Sequence, residues 1–364
     1  VRVALVHPFA WPDVRRGGER YLDDLQWYLR GQGHDVDVIT GTRGRGEVVD
    51  VVHGANRRLR ALPDVVLWRA GVKLREPDTF GARVLPTLLR NRYDVVHALM
   101  PTSALAARVA RQALVFTLLG HPSDELLAGH ATKRRTLQAA ISGAGAVTAL
   151  SPQVARDVEA AFGRMPTVVA PGVRTERYAP ARRDPTPTIL FASALAPVKG
   201  LDVLLAAFAI VAADNPAVRL VLCGPGDSAW AFERVGATIE PFRHRVYDIG
   251  PGDPDDLPRK YAEAHVTVLP SRNEAFGLAL AESLASGTPV VGCAGGGADE
   301  IVTNDVGRIV AYGDARALAV AITDVLGTAN DPDIATRCVA RAQTWDWHRS
   351  IGPQHEALYE EIAR

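Results

Sequence analysis

The chain reads as an α/β protein built from two doubly wound domains, each a parallel sheet with helices on both faces. Short Val/Ile/Leu-rich runs alternate with helix-like segments along most of its length, the pattern of βαβ units. These runs form two series, separated by a proline- and arginine-rich stretch, YAPARRDPTPT (178–188). A length of 364 residues also exceeds what one ordinary core serves, so two domains are expected.

The first series runs VRVALV, VDVIT, DVVHAL, ALVFTLL, GAVTAL and TVVA, ending near residue 170. The second runs TILFAS, VRLVLCG, RVYDIG, VTVLPS and PVVGC. In both, the apolar residues are continuous rather than alternating, as strands buried on both faces require. The expected division is 1–180, 181–345 and a helical tail over 346–364. Within that tail, WDWHRSIGPQHEALYEEIAR, the Gly352-Pro353 pair is expected to break or kink the helix. Neither a solenoid-period repeat nor an extended low-complexity segment is visible.

Composition is that of a soluble globular protein, with 47% hydrophobic and 23% charged residues. No segment approaches the ~20 apolar residues of a bilayer span; the most apolar helix-like run, LDVLLAAFAIVAA (201–213), is short and contains Asp202. The N-terminus reads as a strand from its first residue with no visible signal peptide, which places the protein in the cytoplasm. Cys223, Cys293 and Cys338 are scattered and odd in number, which argues for buried free thiols over a disulfide framework or a zinc site. Residues 1–180 hold 25 basic against 17 acidic side chains, and residues 181–364 hold 16 against 24. That asymmetry fits attraction across a cleft, or an anionic acceptor or membrane surface meeting the first half. Segment 57–75, with six cations, one acid and Trp68, reads as a solvated face or as such a contact at the inner face of a membrane. No nucleic-acid recognition module accompanies it.

The stretch SRNEAFGLALAESLASGTPVV (271–291) carries two glutamates, Glu274 and Glu282, on either side of an expected helix start near Phe276 or Gly277. In a doubly wound fold ligands bind beyond the carboxyl ends of strands. A helix N-terminus there suits a phosphate, and Gly277 admits a ligand close to the backbone. The two carboxylates would then accept hydroxyls at opposite ends of a diphosphate. By spacing alone the favoured reading is that both are solvated helix-surface groups, the usual fate of a glutamate.

ExFGxxxxE, followed by SGTPVV and by Gly296, Gly297 and Glu300 in a GGxxE pattern, resembles the signature of retaining GT-B glycosyltransferases of family 4, group 1 type. The likeness continues through GGERYLDDLQWYLRGQGHDVDVIT (17–40), APGVRTERYAP (170–180), ASALAPVKGLDVLLAAF (192–208), VLCGPGD (221–227) and VYDIG (246–250). It covers nearly the whole chain and is most specific in the C-terminal half. Three positions depart from the family pattern: Arg174 stands where an acid is usual, Ser193 where glycine is usual, and Ala194 where an arginine is usual.

The resemblance implies two Rossmann-like domains facing a cleft, an acceptor domain first, a nucleotide-sugar donor domain second, and a tail crossing back to the first. It implies a metal-independent retaining transferase without a cofactor, whose co-substrate is a nucleoside-diphosphate sugar and whose acceptor is a hydroxyl of a small molecule, lipid or natural product. Lys199 would meet the pyrophosphate together with N–H groups of Ala275, Phe276, Gly277 and Leu278. Glu274 would hold the transferred sugar, Glu282 the ribose diol, and Tyr247, Asp248 and Ile249 the base. From the first domain, Gly17 and Gly18 would approach the donor and His121 the anomeric centre, with Glu274 and Lys199 completing the catalytic set. His7 and Asp124 are secondary candidates. Gly17-Gly18 is not GxGxxG, which speaks against a dinucleotide. Arg272 is the expected substitute for the arginine missing at Ala194. No Asp-x-Asp motif lies at the domain junction to hold a metal. A GT-B epimerase or phosphorylase, or a non-catalytic nucleotide-sugar-binding protein, stands as the alternative. The arginine- and alanine-rich, lysine-poor composition hints at a high-GC bacterial genome.

Overall fold

The computed structural model describes residues 1–11, 14, 16–41, 56–59, 65–67, 72–74, 76–122, 131–328 and 331–364. Asp124 and the side chains of segment 57–75 lie outside the described residues.

The elements follow in chain order as β1 (Arg2–Val6), α1 (Gly17–Gly31), β2 (Asp35–Gly41), β3 (Asn56–Leu59), β4 (Val65–Leu67), β5 (Val72–Leu74), α2 (Glu76–Arg90), β6 (Val95–Ala98), α3 (Pro101–Val109), β7 (Leu114–Leu118), α4 (Ala131–Gly143), β8 (Ala146–Ala149), α5 (Pro152–Phe162) and β9 (Thr167–Val168). The second series is β10 (Thr188–Ala192), α6 (Leu201–Asp214), β11 (Arg219–Cys223), α7 (Ala229–Val235), β12 (Val246–Asp248), α8 (Leu257–Glu263), β13 (Val266–Leu269), α9 (Leu278–Ala285), β14 (Val290–Cys293), α10 (Ala298–Ile301), β15 (Gly307–Val310), α11 (Ala315–Thr328), α12 (Ile334–Ala342) and α13 (Gly352–Ala363).

The chain divides into two compact units, Val1–Gly172 with Ile351–Arg364, and Val173–Ser350. The change of unit precedes the 178–188 stretch because Val173 already bridges to Asp346 and donates its N–H to Trp345 O at 2.7 Å. The first unit holds a seven-stranded sheet ordered β3-β2-β1-β6-β7-β8-β9, and the second a six-stranded sheet ordered β12-β11-β10-β13-β14-β15. Their pairings are all parallel; among the described residues only β4 and β5 form a separate antiparallel pair. Strands β6, β7, β13 and β14 are buried at every residue, as helices on both faces demand.

Local chemistry delimits the helices. Ser151 caps α5 by accepting the N–H of Val154, Pro152 occupies the first turn, and Gly163 closes the helix at φ +72°. Helix α6 is apolar nearly all round, with Leu201, Leu204, Leu205, Phe208 and Val211 all buried, and it packs against α11 and α7.

The tail corrects one expectation. Gly352-Pro353 does not break the helix. A five-residue π-helical stretch, Trp347–Ile351, hands over to α13 at Gly352, and Pro353 falls in its first turn, where a missing N–H costs nothing. Gly352 is dictated by packing, since a Cβ there would lie 2.0 Å from Cζ of Tyr28 on α1. Across that contact Glu356 accepts the Tyr28 hydroxyl at 2.9 Å and pairs with His34 at 3.1 Å.

Candidate active site

In the second unit the strand order reverses between β10 and β13, which is where ligands of doubly wound sheets bind. The loops leaving these two strands meet there. Arg272 donates its N–H to Val198 O at 2.9 Å, so the segment ending in Lys199 lies against the segment leading to Glu274. Lys199 Nζ sits 2.7 Å from Glu274 Oε2, with the side chains 27% and 15% exposed. Lys199 is therefore ion-paired rather than a loose surface cation.

Gly277 stands at the N-cap of α9 with φ +102°, a left-handed conformation that side-chain-bearing residues avoid. Leu280 donates the first helical hydrogen bond, to Gly277 O at 2.8 Å, so the N–H groups of Leu278 and Ala279 precede the intrahelical ladder. Phe276 is buried and meets Trp345 edge-on at 5.8 Å, with the Arg341 guanidinium 4.9 Å from the centre of the Trp345 ring.

Glycines of the next loop buttress this one. The N–H of Gly297 reaches Glu274 O at 2.7 Å. A Cβ on Gly296 would stand 2.4 Å from Glu274 O, and one on Gly297 would stand 2.2 Å from Phe276 Cα, so the backbones touch as only glycine allows. Asp299 holds the turn, its Oδ2 accepting the N–H groups of Gly295 and Gly296 at 2.9 and 3.2 Å. Glu300, the acid of the GGxxE pattern, is exposed.

Glu282 is 6% exposed, which overturns the solvated-surface alternative for this residue. Its Oε2 accepts the hydroxyl of Tyr261 at 3.1 Å. Arg272 is exposed, and no ion pair engages it among the described residues. Tyr247 and Ile249 line a pocket of about 240 Å³ with Leu190, Val221 and Lys260. Asp248 turns the other way, accepting Ser228 Oγ at 2.8 Å.

In the first unit, Gly17 and Gly18 open α1, and a Cβ on Gly18 would lie 2.8 Å from Leu119 Cδ1. His121, past the end of β7, pairs through Nδ1 with Asp157 Oδ2 at 2.6 Å. Its Nε2 is buried without a hydrogen-bond partner among the described residues. His7 is buried and bonded to Phe9 O at 2.9 Å, and burial lowers its pKa to about 4, so the ring is neutral near pH 7.

Tyr261, Asp299, Trp345 and Asp157 are supporting residues that sequence reasoning missed. Tyr261, Trp345 and Asp157 act through partners distant in the chain and carry no motif, whereas Asp299 is a variable position of the GGxxE pattern that bonds the glycines just before it. A buried network in the first unit was also missed. His97 joins Tyr359 at 2.6 Å and Thr117 at 2.5 Å, and His355 joins Tyr21 at 3.2 Å. Burial holds the pKa of His97 well below normal and lowers that of His355 to about 3.

The second unit thus sets a cation paired with a carboxylate in the loops that follow its two central strands, ahead of a helix N-terminus, with a second, buried carboxylate further along that helix. Comparison with known proteins identifies the family. Residues 15–177 match the family model Glycosyltransferase Family 4, and residues 173–345 match that of Glycosyl transferases group 1. YqgM of Bacillus subtilis, an uncharacterized glycosyltransferase, is 30% identical over 286 residues, covering 74% of this chain and 79% of its own. A D-inositol 3-phosphate glycosyltransferase of Salinispora tropica is 32% identical over 223 residues, 54% of this chain and 46% of that protein. The chain thus spans about half the length of that curated relative. HepE of Anabaena, solved in complex with UDP and glucose, has the same fold, with a TM-score of 0.76 at 21% identity over 98% of this chain and 99% of its own. The chain belongs to the group 1, family 4 glycosyltransferases, with the two Rossmann-like units of the GT-B architecture.

Proposed function

We propose that the protein is a retaining glycosyltransferase that moves a sugar from a nucleoside-diphosphate sugar to a hydroxyl acceptor. The observation that carries this reading is the pairing of Lys199 with Glu274 where the strand order reverses in the second unit, ahead of the helix α9 that begins at Leu278 and carries Glu282. The family and the UDP and glucose held by HepE support the same donor class.

Departure of a diphosphate concentrates negative charge on the leaving oxygen, and stabilising that charge is the main catalytic task. Lys199 supplies a cation, and the N–H groups at the start of α9 supply aligned dipoles. Together they do what a metal does elsewhere. Glu274 accepts hydroxyls of the transferred sugar, and donor binding exchanges part of its pairing with Lys199 for phosphate and sugar contacts. Glu282 accepts the ribose diol, and the backbone of 247–249 lies against the base. Of the first unit, Gly17, Gly18 and His121 are the candidate residues. For retention, the acceptor attacks the face from which the diphosphate leaves, and the departing phosphate oxygen takes the acceptor's proton. No enzyme nucleophile is required.

The test is thermal unfolding of the wild type and Glu282→Ala with UDP, GDP, ADP and dTDP at millimolar concentration. A nucleotide at ~100 times its dissociation constant adds about 2.7 kcal/mol, several degrees of midpoint. We expect one nucleotide to shift the wild type and the variant to lose the shift. No shift with any of the four would overturn the donor site. Ala194 favours a second reading, a nucleotide-sugar-binding protein without turnover. That reading predicts the same shift but no product or donor hydrolysis with any acceptor.

A further inference from the structure

We infer that Tyr261 is a positioning residue for Glu282 and so sets the preference of the site for a ribose diol; this rests on the donor-site reading above. Tyr261 lies on α8 and is 1% exposed. Its backbone is fixed by Thr288, just before β14, whose Oγ1 donates to Tyr261 O at 2.7 Å. Its ring is 6.4 Å from that of Tyr178. A side chain held at both ends in this way offers its hydroxyl in one direction, and the group in that direction is Glu282 Oε2, 3.1 Å away.

The chemistry runs one way. Burial, reinforced by the nearby Glu282 carboxylate, raises the Tyr261 pKa well above normal, so the phenol stays protonated and donates. Glu282 is 6% exposed, and α9 fixes its backbone between Leu280 and Leu284, both fully buried. The tyrosine occupies one carboxylate oxygen. The other, Oε1, accepts no hydrogen bond from a described residue, yet it is not among the buried unpartnered atoms, so it keeps access to solvent. A buried carboxylate with one oxygen tied and one open is a directional acceptor, suited to a vicinal diol. Without the phenol, the carboxylate loses its only described side-chain donor and is free to rotate.

Tyr261 acts through Glu282, so the readout must separate orientation from general loosening. Isothermal titration of the wild type, Tyr261→Phe and Glu282→Ala would use UDP, GDP and ADP, each beside its 2′,3′-dideoxy analogue. In the wild type, one ribonucleotide is expected to bind at least about tenfold more tightly than its dideoxy partner. Tyr261→Phe should weaken the ribonucleotide by about tenfold and leave the dideoxy affinity unchanged, so that the ratio collapses. The unchanged dideoxy affinity also certifies that the variant is folded. Equal losses for both nucleotides, or a ratio kept at the wild-type value while Glu282→Ala abolishes it, would overturn the role of Tyr261 and leave the donor site standing. Wild-type binding to none of the six would remove the donor site and the inference together.

Discussion

At the residue scale the candidate site is a matter of which charges are paired and which remain open. Lys199 and Glu274 neutralise one another at 2.7 Å, so an incoming diphosphate meets a cation already committed elsewhere. Arg272 is exposed beside them, its N–H tied to the segment that ends in Lys199. If it replaces the arginine absent at Ala194, Arg272→Ala should weaken UDP or GDP binding by about tenfold, ~1.4 kcal/mol, through loss of a charge-assisted contact. Titration at low and high salt checks this, because a lost phosphate contact also reduces the salt dependence. Unchanged affinity would leave Lys199 and the helix terminus as the phosphate contacts. Lys199, Glu274 and Glu282 were legible because their spacing around a strand end and a helix start carries a motif. Tyr261 and Asp157 were not, since each matters only through a residue brought near by folding.

At the element scale, close backbone approach governs two contacts. The loop after β14 lies on the loop after β13 through Gly296 and Gly297. In Gly297→Ala the new Cβ meets Phe276 backbone, which cannot yield as a side-chain tip can. Donor affinity should therefore fall by at least about tenfold, with about 1–3 kcal/mol of destabilisation from overpacking. Titration and urea unfolding read the two effects separately, and wild-type values for both would show that the loops are not coupled. The second contact joins α13 to α1 through Gly352 and Tyr28. Gly352→Ala should lower the unfolding midpoint of the first unit by several degrees, while Gly352→Ala combined with Tyr28→Ala should recover part of the loss by making room. A helical tail was evident from its composition. Its π-helical start and the tolerated Gly352-Pro353 were not, because Pro353 breaks a helix only beyond the first turn.

At the scale of the whole molecule, each unit has its own parallel sheet and core, and the two differ in what they bury. The first unit encloses His97, His355 and His7 as neutral rings. An unfolded histidine binds its proton near pH 6.5, whereas His355 resists until about 3 and His7 until about 4. Between these values the unfolded chain binds more protons, so stability is lost as pH falls below 6.5, by up to about 1.4 kcal/mol per pH unit for each histidine. Urea unfolding at pH 7, 5.5 and 4.5 should show this slope, flattened in His355→Gln by the share of one group. An unchanged slope would mean that His355 is not the titrating group.

Most strands of the two sheets were readable one by one, since runs such as VVHA and TVL announce burial on both faces whatever lies beside them, but β3, NRRL (56–59), was not, because its polar and charged residues carry no such run. The strand β15, GRIV (307–310), escaped because glycine and arginine dilute its apolar signal. The two glutamates and the lysine were likewise written in local order. What only the tertiary structure decided was the set of partners: Tyr261 on Glu282, Glu274 on Lys199, Asp157 on His121, and the buried histidines locked to Tyr21 and Tyr359. Periodicity and motif spacing are properties of neighbouring residues, whereas a hydrogen bond across 21 or 262 positions exists only after strand order has placed those elements side by side.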